Sequence, residues 1–154
     1  MNKLIKRNSG ITIIALVLTI IIMMIIMSIA VYQGKDIIRK AKLQTLETNM
    51  LTIQAKAKTY AEEIDAKVWA LESNKESKRD ELFSEKGLEK TATNEYKVTD
   101  EGLEIMGLEE LKGEEYTVVY SNDFNSIDIK YGSMVTYNNK SMNKLSELQK
   151  ELGE

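Results

Sequence analysis

The two residue types most used for acid–base and nucleophilic chemistry near neutral pH are missing from this chain. It contains no His and no Cys, so dyads of the Ser–His or Cys–His type are impossible. The adjacent acids Glu62/Glu63 and Glu114/Glu115 are read as solvated surface charge rather than as acid–base pairs. Asp123, Asn125 and Asp128 form an oxygen-rich turn of the kind hard cations such as calcium favour. Their spacing lacks the next ligand and the Gly of an EF-hand loop, so a plain hairpin turn is expected and the three residues stand only as weak metal candidates. Asn139-Lys140-Ser141 fits a glycosylation acceptor and is read as a chance match. Trp69 is expected to be a packing anchor rather than a binding platform. No catalytic residue, cofactor or enzymatic activity is expected.

The more informative residues are those that must position a domain rather than react. Ile11 to Val31 is a run of 21 residues without a charge, its only polar members being Thr12, Thr19 and Ser28. At a rise of ~1.5 Å per residue such a helix spans roughly 30 Å, the thickness of a bilayer's hydrocarbon core. Burying it in a domain of this size would consume the whole core. Lys3, Lys6 and Arg7 precede it with no acid among residues 1–10, and acidic, mixed-charge sequence follows. The positive-inside rule then predicts a single-pass protein with its N-terminus in the cytoplasm and its C-terminal body outside. That body is mildly acidic, which argues against general nucleic-acid binding.

Three treatments of the N-terminus fit this pattern. A cleaved secretory signal would end at a small-residue site, for which Ser28-Ile29-Ala30 would serve, although the apolar run is long for one and helical sequence continues past it. An uncleaved signal anchor is the second. The third starts from Lys6-Arg7-Asn8-Ser9-Gly10 followed by Ile11-Thr12-Ile13-Ile14-Ala15-Leu16-Val17. A short basic leader, a Gly, a Thr at the second position after it and a long apolar run resemble the N-terminus of the type IV pilin and pseudopilin family. The resemblance covers residues 3–31 closely and the following helix in pattern. It implies that a prepilin peptidase cuts after Gly10, methylates the amine of Ile11 and leaves the apolar segment in place. It also implies, as partners, the lipid bilayer and other pilin or pseudopilin subunits. Most members carry a Glu five residues into the mature chain, where this sequence has Ala15, and the family's usual mid-helix Pro is missing, since the chain has no Pro at all. A minor subunit of a surface filament, secretion or DNA-uptake machine is therefore the expected role. The alternative is a membrane-anchored extracytoplasmic binding module that does not polymerise.

The rest of the chain reads as the body of such a protein. Residues 32–72 continue the helix: Ile38, Leu46, Met50, Ile53, Ala57, Tyr60, Ile64, Val68 and Leu71 follow one face, while Lys35, Lys42, Glu47, Lys56, Glu62, Glu63 and Lys67 mark the other. Residues 73–99 are strongly charged and read as a helical extension or linker, with breaks at Asn74 and Gly87 and a short strand at Tyr96-Lys97-Val98. Thr99 or Asp100 is expected to cap a short helix holding Leu103, Met106 and Leu111. Strands are expected at Tyr116–Tyr120, Ile127–Tyr131 and Met134–Tyr137, with turns at 121–126 and at Gly132-Ser133, and a short amphipathic helix from Ser141. The expected fold class is α+β: a long N-terminal transmembrane helix leading to a small domain, residues 100–154, around a roughly three-stranded antiparallel sheet.

Overall fold

Without a proline and with few glycines, nothing in the first half of the chain stops a helix. In a computed structural model, which describes residues 8–153, α1 accordingly runs without a break over Asn8–Trp69. The chain divides into two units, Met1–Lys42 and Leu43–Glu154. Within the first, the described side chains of α1 from Ile13 to Val31 are exposed throughout.

In the second unit α1 buries one stripe. Leu43, Met50, Ile53, Ala57, Tyr60, Ala61, Ile64 and Val68 are all buried, at the three- and four-residue spacing that keeps side chains on one face. Two of the expected stripe residues fall off it: Ile38 is 58% and Leu71 38% exposed. Glu47, expected on the polar face, is 4% exposed, because it lies four residues after Leu43 and three before Met50 and so shares their side of the helix. Trp69 is no packing anchor. It is 82% exposed, since one residue past Val68 turns the side chain about 100° away from the buried stripe.

After α1, Asn74 adopts a left-handed conformation, φ 59°, and starts α2 (Lys75–Glu85). Then come β1 (Leu88–Ala92), β2 (Glu95–Val98), α3 (Asp100–Met106), a 3-10 turn at Glu109–Leu111, β3 (Tyr116–Tyr120), β4 (Ile127–Tyr137), β5 (Lys140–Lys144) and α4 (Leu145–Leu152). The five strands form one antiparallel meander in the order β1-β2-β3-β4-β5.

This architecture is α+β, as expected, but with five strands instead of three. Within residues 73–99 the expected helical extension is present as α2 and the expected short strand at Tyr96-Lys97-Val98 lies in β2, but β1 is added and the segment packs on the domain rather than standing off as a solvated linker. Phe83, Leu88, Tyr96 and Val98 from this segment are buried, and the charges between them face solvent. Nor is Gly132-Ser133 a turn. β4 continues through it, with a register irregularity between Lys130 and Val135. Gly132 is needed there because its backbone passes close to the start of β3. A Cβ would fall 2.6 Å from Cβ of Glu115, and its N–H donates to the Glu115 carbonyl at 2.7 Å, a close approach of the kind that calls for glycine in a strand. The expected C-terminal helix begins four residues late, because Ser141 and Met142 belong to β5. Asn138 and Asn139, with φ 48° and 61°, turn the β4–β5 hairpin. Two left-handed central residues are what a tight hairpin with the right twist requires.

The core is aromatic at its centre. The ring of Phe83 packs at a tilt against Tyr96 and Tyr120, 4.6 and 5.3 Å from them, centroid to centroid. The hydroxyl of Tyr120 donates to the Ala57 carbonyl of α1 at 3.0 Å, and the side-chain amide of Gln54 donates to the Ile127 carbonyl at 2.6 Å. Tyr96 donates to Asp80 at 2.7 Å, which joins α2 to β2. Arg79 reaches Asp65 at 2.7 Å and lies over the ring of Phe124, 4.4 Å from its centre.

Candidate functional site

The feature with the clearest physical meaning is the apolar length of α1. A helix can sit in hydrocarbon only if its backbone groups are paired internally and its polar side chains find partners on the helix itself. Both described polar side chains of this stretch do so. Thr19 donates to the Leu16 carbonyl at 2.8 Å and Ser28 to the Met24 carbonyl at 2.8 Å, the back-bonding pattern that short hydroxyl side chains use in helices. α1 is long and apolar enough to cross a membrane, and none of its most apolar stretch is buried within the protein. That sets it apart from the central helix of a folded core, which would carry the same composition but be covered.

The expected processing residues lie at the start of this helix. Residues 1–7 of the leader are outside the described residues. Gly10 and Ile11 fall in the first turns of α1, and Ala15, at the place where the family carries Glu, is exposed.

The weak metal candidates are placed apart in their bonding. Asp123 folds back on its own loop: Ser121 Oγ donates to Oδ1 at 2.5 Å, Asn125 N donates to Oδ1 at 3.3 Å, and Asn125 Nδ2 donates to Oδ2 at 2.8 Å. These bonds, the serine hydroxyl first and the asparagine second, hold the Asp123 carboxyl down to about 2. Asp128 turns instead to α4, accepting from the backbone N–H of Ser146 at 3.2 Å and from its hydroxyl at 2.7 Å. Loop closure and a helix cap therefore use the oxygens that a cation would need. No group of three metal-ligating acids occurs among the described residues. Melting temperature is accordingly expected to be the same in calcium and in a chelator. Asp128→Ala, by contrast, should cost about 1 kcal/mol through loss of the α4 cap. Thermal melts followed by circular dichroism check both.

The paired acids also separate. Glu63 reaches Lys86 at 3.3 Å and Glu115 reaches Lys97 at 2.8 Å, while Glu114 accepts from the Tyr116 hydroxyl. Lys97 is the main cause of the lowered Glu115 carboxyl. One surface was not foreseeable from spacing. Gln54 of α1, Tyr120 of β3, Ile127 and Asp128 of β4, and Ser146 and Gln149 of α4 are among the residues that line an open groove of about 490 Å³, mixed polar and apolar in character. Their sequence separation hides it, and no local signal would have found it.

Compared with known proteins, the chain matches no family model, no curated protein and no solved structure. Its function has to be argued from its own residues.

Proposed function

We propose that the chain is a type IV pilin-like or pseudopilin subunit, a minor one, serving a surface filament or a secretion or DNA-uptake machine. The observation that carries this is a basic leader ending in Gly10, directly followed by an uncharged run on one continuous helix whose later turns pack on a small antiparallel sheet. In this proposal residues 11–31 cross the cell membrane, the N-terminus lies in the cytoplasm and the sheet domain lies outside. Flanking charge does not fix that orientation. Three cations precede the span, and Lys35, Arg39, Lys40 and Lys42 follow it with a single acid, Asp36, among them. An inward N-terminus therefore rests on the leader and not on charge bias.

Ala15 supports the minor role. Apolar helices gain nothing by leaving lipid for one another, so assembly draws on packing, polar contacts and an external motor. A side chain without a carboxylate offers a neighbour's amine no partner. The same absence favours the second reading, an anchored binding module, and the groove beside α4 gives such a module a place for a ligand.

Processing separates the two. Intact mass of the protein from its native host should show a chain that starts at Ile11 and carries one added methyl group. A species that retains Met1–Gly10 would favour the anchored module, and one that begins at Val31 would make the apolar run a cleaved export signal.

A further inference from the structure

We propose that the basic segment of α1 just past the apolar run, Lys35, Arg39, Lys40 and Lys42, binds the anionic phosphate headgroups of the leaflet from which the helix emerges. This rests on the apolar run crossing a bilayer.

Charge in this protein is segregated along the chain. Residues 35–42 carry four cations and one acid, while from Leu43 onward acids outnumber bases. Lys35, Arg39 and Lys42 are spaced four and three apart, which stacks them on one side of a helix, and Lys40 lies about 100° round from Arg39. All four are exposed. Among the described residues none of them is in an ion pair, whereas Lys90 of the sheet domain bridges Glu76 and Asp80 at 3.1 and 2.7 Å. Asp36, three residues before Arg39 and four before Lys40, takes up neither of them.

Lys35 stands ~6 Å beyond Val31 along the helix, within a polar layer about 5–8 Å thick, while Arg39, Lys40 and Lys42 stand ~12, ~13 and ~16 Å beyond it, on its outer side. Long basic side chains reach back toward such a layer along their apolar stems. Ile37 and Ile38, 69% and 58% exposed, lie between the cations, ~9 and ~10 Å beyond Val31, with side chains tilted back toward the headgroup layer.

The test reconstitutes the full chain into vesicles of phosphatidylcholine, alone or mixed equally with phosphatidylglycerol. It measures the share of spin-labelled phosphatidylglycerol, relative to spin-labelled phosphatidylcholine, that the protein immobilises. A basic residue close to an anionic surface multiplies association about fivefold, so the wild type should prefer phosphatidylglycerol by about that factor or more. The preference should shrink in high salt, where the screening length falls to ~3 Å. K3A/K6A/R7A removes the cations of the opposite flank, which meet the other leaflet, and in that background K35A/R39A/K42A should lower the remaining preference about fivefold or more. A protein that washes off the vesicles at alkaline pH overturns the bilayer span and this proposal with it. A protein that stays but immobilises both lipids equally, or a K35A/R39A/K42A chain that keeps its preference, overturns this proposal alone. Loss of cross-linked dimers in that variant with an unchanged lipid ratio would assign the cations to a second copy and likewise overturn it.

Discussion

Phe83→Ala should destabilise the sheet domain by about 3–5 kcal/mol, the usual cost of emptying a buried aromatic site. Phe83 has no exposed surface and sits between α2 and the sheet, against Tyr96 at 4.6 Å, Tyr120 at 5.3 Å and Phe124 at 6.4 Å between ring centres. Both tyrosines are themselves tied by hydroxyl bonds, Tyr96 to Asp80 and Tyr120 to Ala57. They cannot slide into the void without giving those bonds up, so relaxation recovers little. Small domains have about 5–15 kcal/mol in all, so the variant should keep only part of its stability. Urea unfolding of the full chain in detergent, followed by near-ultraviolet circular dichroism of the tyrosines, measures it. Phe83→Leu should cost less than half as much. If residues 73–99 were a solvated linker, Phe83→Ala would instead shift stability by no more than about 0.5 kcal/mol, as surface substitutions do.

Gly102→Ala is expected to have the second largest effect, although alanine is ordinarily favoured over glycine in a helix. At this position an added Cβ would lie 2.3 Å from the Gly87 carbonyl oxygen and 2.9 Å from its carbon. Both are backbone atoms, and they are held in place. The Gly87 carbonyl accepts from the Thr99 N–H at 2.9 Å and from its hydroxyl at 3.0 Å, and the Gly102 N–H donates to that hydroxyl at 3.0 Å. Gly87 is itself left-handed, φ 73°. The end of α2 and the start of α3 therefore meet backbone to backbone, with Thr99 serving as cap for α3 and clamp for Gly87. Overpacking of this kind costs about 1–3 kcal/mol, and Gly102→Val should cost more. Gly34→Ala is the contrasting substitution. Nothing lies within 4 Å of its added Cβ, so it should be neutral or stabilise the helix by up to ~1 kcal/mol. The same urea titration ranks all three, and a Gly102→Ala chain as stable as the wild type would show that the two glycines are not in contact.

The sequence by itself determined whatever depends on neighbours along the chain. Uncharged length marked the apolar segment of α1, and the repeat of Met50, Ile53, Ala57, Tyr60, Ile64 and Val68 marked its buried stripe. Asn74 and Gly87 marked the breaks, where both adopt left-handed backbone. Thr99 marked the cap of α3, whose hydroxyl accepts from Gly102 N, and the β-branched and aromatic run at Tyr116–Tyr120 marked β3. The resemblance around Gly10 and Ile11 on which the proposed processing rests likewise consists of residue types in order rather than of geometry. Tertiary structure alone decided the rest. β1 has one buried residue, Leu88, in five, too few to show alternation, and it is a strand because it pairs with β2, which pairs in turn with β3. Gly132 looked like a turn and proved to be a close approach to Glu115. Asp123, Asn125 and Asp128 looked like one oxygen cluster, and their hydrogen bonds split them between a loop and the cap of α4. Gly132 and Asp128 turned on partners 17 and 18 residues away, Glu115 and Ser146, and a residue's own type and spacing carry no record of which distant group will reach it first.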